Sequence, residues 1–170
     1  YFFTKLLNNT RELAQYNFQE VRNWHRRVAP GLFNLDSLYI PINRDNGHWL
    51  LMKVDFEPRV ISIYDSQGPS LLNDAYGPAM IRYLYDSSRH LGLTQQTLQE
   101  WARPWRLQAI RDCPMQTNGY DCGILTMVIA TLLTRGCNLS SQSFTQQDIY
   151  RYSVRERIAF LLWQHGAIRP

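Results

Sequence analysis

The 170-residue sequence has no run approaching the ~20 consecutive apolar residues that a membrane-spanning helix needs. Its start, Tyr1-Phe2-Phe3, shows no signal-peptide pattern. It has only three cysteines, an odd number without a Cys-x-x-Cys pair, which argues against a disulfide framework and against a structural zinc site. We therefore expect an intracellular protein of the nucleus or cytoplasm that works without a membrane, a metal or a cofactor.

Strong charge is missing as well, since the net charge is only +4. A small group of arginines around Trp24 is typical of a solvated helix face, and there is neither a long basic stripe nor a nucleic-acid-binding module. Repeats, low-complexity runs and linkers are not present. With 45% hydrophobic residues, the chain suits one core and is too short for two. We predict a single domain over residues 1–170, monomeric, with no nucleic-acid partner.

Helix and strand patterns are mixed along the chain, which predicts an α+β fold. Two strands rich in apolar and β-branched residues flank Glu57-Pro58 and predict a β-hairpin. Thr145 and Asp148 form a candidate capping box that opens the last helix. Strands are predicted over residues 38–42, 48–56, 60–64 and 105–111, and helices over 17–28, 74–87 and 145–162.

Cys122 opens the most apolar stretch of the chain, residues 124–133. Apolar residues cover nearly every side of this predicted helix, a pattern typical of a buried helix. The positive end of a helix favours a thiolate, and its free N–H groups can hold an oxyanion. Gln116, six residues earlier, is the candidate for a second oxyanion donor. The alternative is that Cys122 is simply a small apolar residue in a core helix.

A cysteine nucleophile works best with a general base and a group that orients the base. Among four histidines, only His48 opens a core strand. A hairpin centred on Glu57-Pro58 pairs Leu50 with Asp65, which puts Asp65 on the sheet face of His48 at about 7 to 8 Å between backbones. A register slip of one residue would separate them. Each residue alone is consistent with a structural role, but together with Cys122 they indicate a catalytic triad.

Three segments, Gly47–Trp49, Tyr64–Ser66 and Gln116–Gly123, resemble the ubiquitin-like-protein-specific proteases, the SUMO (sentrin) protease family of clan CE cysteine peptidases. The resemblance extends to Phe2–Leu6, Val21–Trp24, Tyr39–Ile42 and Phe144–Gln147, and so to nearly the whole chain. It implies a papain-like cysteine protease domain of the adenain and SUMO-protease type, in which helices flank a mostly antiparallel central sheet. It implies that Cys122 is the nucleophile, His48 the general base, Asp65 the orienting carboxylate and Gln116 an oxyanion donor.

By the same resemblance, the substrate is SUMO or a related ubiquitin-like modifier, cleaved after its C-terminal Gly-Gly in conjugates and in precursors. Trp49 would cover a tunnel so narrow that only glycine passes, which is selection by steric rejection. Family members also have a segment before the region that matches Tyr1, so we expect this sequence to lack an N-terminal part of the domain. Cys113 and Cys137 are interpreted as structural.

Two other functions compete with the protease hypothesis. Some bacterial effectors use the same clan fold as acyltransferases that acetylate proteins of the host cell, but the sequence has no Gly-rich or basic motif to cradle the phosphates of acetyl-CoA. A non-catalytic modifier-binding module is the other alternative. It is disfavoured because His48, Asp65, Gln116 and Cys122 are all present.

Overall fold

The helices and strands come from a computed structural model that describes residues 2–28, 31–69, 75–93 and 104–164. The strands are β1 (Ser37–Arg44), β2 (His48–Asp55), β3 (Val60–Tyr64) and β4 (Arg106–Ala109). The α-helices are α1 (Phe2–Leu6), α2 (Tyr76–His90), α3 (Cys122–Thr134), α4 (Gln146–Arg151) and α5 (Val154–Gln164). None of the helices in the described residues is long and apolar enough to cross a membrane.

The four strands form one sheet in the order β1-β2-β3-β4. Short connections, residues 45–47 and 56–59, join β1 to β2 and β2 to β3, and connections of that length only allow antiparallel pairing. By contrast, β3 and β4 are parallel, with Val60 opposite Arg106 and Ile63 opposite Ala109. Every residue of β3 is buried, as expected for a strand with neighbours on both edges. The predicted strands and the mostly antiparallel sheet are confirmed.

The predicted helix over residues 17–28 is wrong. The structure has two short 3-10 helices instead, at Phe18–Glu20 and Trp24–Arg27. The Asn17 side chain accepts a hydrogen bond from the Gln19 N–H, and Val21, with φ −124° and ψ 1°, leaves the helical region directly afterwards. The Asn17 bond caps the start of the first 3-10 helix, and the backbone at Val21 ends it, a break that apolar spacing does not reveal.

The predicted C-terminal helix is also interrupted, because α4 ends before Ser153, whose φ of 48° no α-helix accommodates. The capping box at its start is confirmed, since the Thr145 N–H donates to Asp148 Oδ2 at 2.8 Å. Helix α2 is confirmed but extends three residues further than predicted, to His90. Its predicted first residue, Asp74, lies outside the described residues.

Two compact units make up the chain, each from separate segments. The first comprises residues 1–42, 52–63 and 70–109, and its rings pack edge to face, as with Phe2 on Tyr83 at 4.9 Å between centroids. The second comprises residues 43–51, 64–69 and 110–170. Its apolar core is built on the buried side chains of Ile124 and Leu125 in α3 and Ile149 in α4, against which Val154 and Ile158 of α5 pack. All five predicted site residues belong to this second unit.

Gly77 in α2 is required by its contact with Leu107 of β4. A side-chain carbon at position 77 would lie 2.5 Å from Leu107 Cδ2 and 3.2 Å from Cγ, so rotating the methyl groups alone cannot relieve the contact. We expect Gly77→Ala to lower the free energy of unfolding by about 1 to 2 kcal/mol in urea titrations. In a Leu107→Ala background the same change should become neutral or stabilising, because alanine is the better helix former. An equal loss in both backgrounds would contradict this account.

Candidate active site

His48 and Asp65 form a buried hydrogen-bonded pair. His48 is the first residue of β2, and Asp65 directly follows the last residue of β3. His48 Nε2 lies 2.6 Å from Asp65 Oδ1, and the two residues are 6% and 2% exposed. The predicted meeting of the two side chains is therefore confirmed. Nδ1 of His48 is buried and has no hydrogen-bond partner among the described residues, so it is the ring nitrogen open to a proton from another group.

The turn after β3 fixes the Asp65 carboxyl group. The Gln67 N–H donates to Oδ1 at 2.9 Å, and a guanidinium nitrogen of Arg44 lies 4.0 Å from Oδ2. The Cys113 thiol donates to the Asp65 carbonyl at 3.8 Å. Burial raises the pKa of the Cys113 thiol, which keeps it protonated as the donor. These contacts support the structural interpretation of Cys113.

Gln116 is held by the same turn. Its backbone N–H donates to the Ser66 carbonyl at 2.8 Å, and the Ser66 hydroxyl donates to Gln116 Oε1 at 2.7 Å. Gln116 Nε2 donates one hydrogen to the Asn118 carbonyl at 2.5 Å. An amide nitrogen carries two hydrogens, so one remains for an oxyanion. Ser66 was not predicted as a site residue, although it lies beside Asp65 in one of the motif segments.

Cys122 is the first residue of α3 and is 5% exposed. The first backbone bond of the helix runs from the Leu125 N–H to the Asp121 carbonyl at 2.9 Å, so the N–H groups of residues 122–124 have no partner within the helix. The thiol therefore lies at the positive end of the helix, as predicted. Trp49 lies beside it, because a side-chain carbon at Gly123 would be 3.4 Å from Trp49 Cδ1. The indole is 40% exposed.

Asp121, directly before Cys122, is fully buried and has four side-chain hydrogen-bond donors around it. Asn118 Nδ2 lies 2.7 Å and the Tyr150 hydroxyl 3.1 Å from Oδ2, and Gln146 Nε2 also donates to Oδ2. Arg155 forms an ion pair with Oδ1. Burial on its own would raise the pKa of Asp121, but these hydrogen bonds and the Arg155 charge outweigh it and hold the pKa below the usual 3.8. Sequence reasoning missed this network.

The second unit thus contains a histidine–carboxylate pair and a cysteine at a helix N-terminus. An imidazole oriented by a carboxylate, a cysteine at a helix N-terminus and an amide donor from the preceding loop suit nucleophilic attack on an acyl carbon. Within the described residues, no group of three or more His, Cys, Asp or Glu side chains comes together to hold a metal ion.

A protein-family model matches nearly the whole chain. The family described as "Ulp1 protease family, C-terminal catalytic domain" matches residues 1–161. The chain is 30% identical over 160 residues to ubiquitin-like-specific protease 1A of Arabidopsis thaliana, which covers 91% of the chain and 29% of that protein. It is 30% identical over 159 residues to human sentrin-specific protease 5, which covers 93% of the chain and 19% of that protein. The chain thus spans less than a third of the length of these curated relatives.

Solved structures give the same result. The fold is similar to that of the SUMO protease Ulp1 with its catalytic cysteine oxidised to a sulfonic acid, with a TM-score of 0.73, 27% identity, and coverage of 97% of this chain and 66% of that chain. It is also similar to the C-terminal Ulp1 protease domain in complex with Smt3, the yeast ortholog of SUMO, with a TM-score of 0.61, 27% identity, and coverage of 86% and 58%. The predicted papain-like α+β fold of the SUMO-protease type is confirmed.

The ion pair of Asp121 with Arg155 should contribute to stability in a pH-dependent way. Removing the cation leaves a buried carboxylate with only neutral donors, and Arg155 is 44% exposed, so we expect Arg155→Met to cost about 1 to 3 kcal/mol at pH 7 in urea unfolding. The pKa of Asp121 is lowered in the folded state, so its stabilisation is present above the usual 3.8 and is lost as the pH falls below it. The difference between wild type and variant should therefore be smaller at pH 3 than at pH 7.

The exposed Arg157 on the same helix provides the matched control, since Arg157→Met removes an equal charge away from Asp121. We expect this control to change stability by less than about 0.5 kcal/mol. Equal effects of the two arginine changes, or a difference that stays constant between pH 7 and pH 3, would show that the pair with Asp121 is not the cause.

Proposed function

The chain belongs to the Ulp1 protease family, and on that premise we propose that it is a cysteine protease that cleaves after the C-terminal Gly-Gly of SUMO or a related ubiquitin-like modifier. It acts on isopeptide conjugates and on modifier precursors. The observation that carries the proposal is the buried His48–Asp65 pair in the same unit as a cysteine at a helix N-terminus.

In the proposed reaction, His48 Nδ1 accepts the proton of the Cys122 thiol while Asp65 holds the opposite ring nitrogen. The sulfur attacks the carbonyl carbon of the last glycine, and the oxygen that becomes negative is held by the Cys122 N–H and by Gln116 Nε2. The tetrahedral intermediate collapses to a thioester as His48 gives its proton to the departing amine. His48 then deprotonates a water that attacks the thioester, and the modifier carboxylate and the thiol are released.

Specificity for glycine is assigned to Trp49. Its indole lies against Gly123, one residue after the nucleophile, and remains partly exposed where a substrate backbone would pass. A flat ring over the path to the thiol excludes any residue with a side chain. The choice of a ubiquitin-like modifier is supported by the relatives, which are ubiquitin-like-specific and sentrin-specific proteases, and by the Ulp1 domain solved in complex with Smt3.

We further propose that the enzyme is a monomer of the cell interior, in the nucleus or the cytoplasm. Cys113, Cys122 and Cys137 are all free thiols, which favours a reducing compartment. Its partners are SUMO or a related modifier and the proteins conjugated to it.

Covalent trapping tests the proposal directly. The protein is incubated with a panel of ubiquitin-like modifiers that carry a C-terminal electrophile in place of the scissile bond. We expect at least one modifier to label the wild-type protein and Cys137→Ala, which removes an exposed thiol, but not Cys122→Ala. Mass spectrometry of the adduct should locate the bond at Cys122.

The same panel separates the competing functions. An acyltransferase would not be labelled by any modifier and would instead acetylate itself when incubated with acetyl-CoA. A non-catalytic binding module would bind a modifier without forming the covalent adduct. Either result would overturn the protease proposal.

Gln116 has a distinct role that kinetics can isolate. Removing an oxyanion donor affects only the transition state, so Gln116→Ala should lower kcat by about 100-fold to 1000-fold with little change in KM. The measurement is cleavage of a modifier with a C-terminal fluorogenic amide. The exposed Gln142 provides the control, because Gln142→Ala should leave both constants unchanged. A change confined to KM would show that Gln116 binds the substrate and does not stabilise the oxyanion.

A further inference from the structure

Gln146 connects the two ends of the loop that carries the proposed oxyanion hole. It is the first residue of α4 and is 6% exposed. Its Oε1 accepts hydrogen bonds from the Thr117 backbone N–H and, at 3.2 Å, from the Thr117 hydroxyl. Its Nε2 donates to Asp121 Oδ2. One buried amide thus contacts both the residue after Gln116 and the residue before Cys122.

The segment between those two residues contacts α4 through two side chains, because Asn118 Nδ2 and the Tyr120 hydroxyl lie 3.3 and 3.4 Å from the Tyr150 hydroxyl. Residues 117–120 form neither helix nor strand, and Tyr120 within them is 67% exposed. The Asn118 side chain organises the turn locally, accepting from the N–H groups of Tyr120 and Asp121 at 3.1 and 3.0 Å. These local bonds shape the turn, and none of them joins the backbone of the loop to a helix or strand outside it.

Gln146 supplies such a bond at the Thr117 N–H, and its own position is fixed twice. The capping box of Thr145 and Asp148 holds the first turn of α4, and Ile149 of the same helix is buried in the core with Leu125 of α3. The amide therefore transmits the position of a packed helix to an irregular loop. Polar side chains on regular elements place a site more precisely than loop residues do on their own.

We propose that Gln146 is a positioning residue for the oxyanion hole: its bridge between Thr117 and Asp121 sets the separation of the Gln116 amide from the Cys122 N–H. This inference rests on the proposed protease function. An oxyanion donor must lie about 2.7 to 3.1 Å from the developing charge, and a displacement near 1 Å costs up to about 100-fold in rate. Gln146 contacts neither the substrate nor the reacting atoms, and its effect passes through Thr117 and Asp121.

The adjacent Gln147 makes a matched comparison possible. It is the next residue of the same helix, has the same side chain, and is exposed. Gln146→Met keeps the length and approximate volume of the side chain but cannot form the bridge, whereas Gln146→Ala also removes the packing. We expect kcat for a fluorogenic modifier substrate to fall by about 10-fold to 100-fold in both Gln146 variants, with KM nearly unchanged, and Gln147→Ala to match the wild type.

A second measurement distinguishes positioning from a general loss of structure. Alkylation of Cys122 by iodoacetamide consumes the thiolate but forms no oxyanion, so its rate reports on the thiol and His48 without the oxyanion hole. We expect the alkylation rate of both Gln146 variants to stay within about twofold of the wild type while kcat falls. Counting active sites by the covalent probe corrects kcat for any unfolded fraction.

The outcomes are distinct. Unchanged kcat in both Gln146 variants would overturn the inference while leaving the protease proposal intact, and a wild-type protein that cleaves no modifier would overturn the protease proposal itself. Parallel losses of alkylation rate and kcat would show that Gln146 supports the thiol or the fold and not the oxyanion hole. Failure of both variants to fold would equally contradict a specific positioning role.

Discussion

A buried carboxyl group at position 65 is the constraint around which the site is arranged. Taking a carboxylate out of water is costly unless its oxygens are paired, and Asp65 is only 2% exposed. Hydrogen bonds reach only its Oδ1, and within the described residues Oδ2 has only the Arg44 guanidinium near it, at 4.0 Å. The turn that holds this carboxyl group has two outcomes. Asp65 holds the imidazole of His48, and Ser66, the next residue, holds the side-chain amide of Gln116. One turn at the end of β3 thus orients both the proposed base and the proposed oxyanion donor.

A second buried carboxylate, that of Asp121, lies at the other end of the proposed oxyanion loop. Asp121 precedes Cys122 and receives hydrogen bonds from Asn118 in the loop and Tyr150 in α4, and it pairs with Arg155 of α5. The loop from Gln116 to Cys122 is therefore attached at its start to the turn after β3 and at its end to two helices. Such polar networks stabilise a fold when every member has its hydrogen-bond partners, because an unpaired polar group in a buried site costs stability.

The sequence predicted the elements of this site better than their supports. Alternating and β-branched patterns predicted β2 and β3, and the hairpin between them predicted that His48 and Asp65 would meet. Periodicity did not predict the interruption at Ser153, because a single residue with positive φ leaves the apolar spacing on both sides intact. The side-chain contacts that hold the site residues in place were missed for a different reason. Ser66 and Gln116 are 50 residues apart, and Gln146 and Asp121 are 25 apart, so only the tertiary fold reveals their contacts.

The position of Asp121 also explains why its partners include a cation. Asp121 is fully buried, and an ionised carboxylate in a buried position is costly unless its charge is paired. Neutral donors alone would satisfy the oxygens of Asp121 and leave its charge uncompensated at short range. Arg155 supplies the opposite charge at Oδ1, whereas Gln146 and Tyr150 occupy Oδ2. The carboxylate therefore stays ionised, with its pKa held below the usual 3.8, while it anchors the loop.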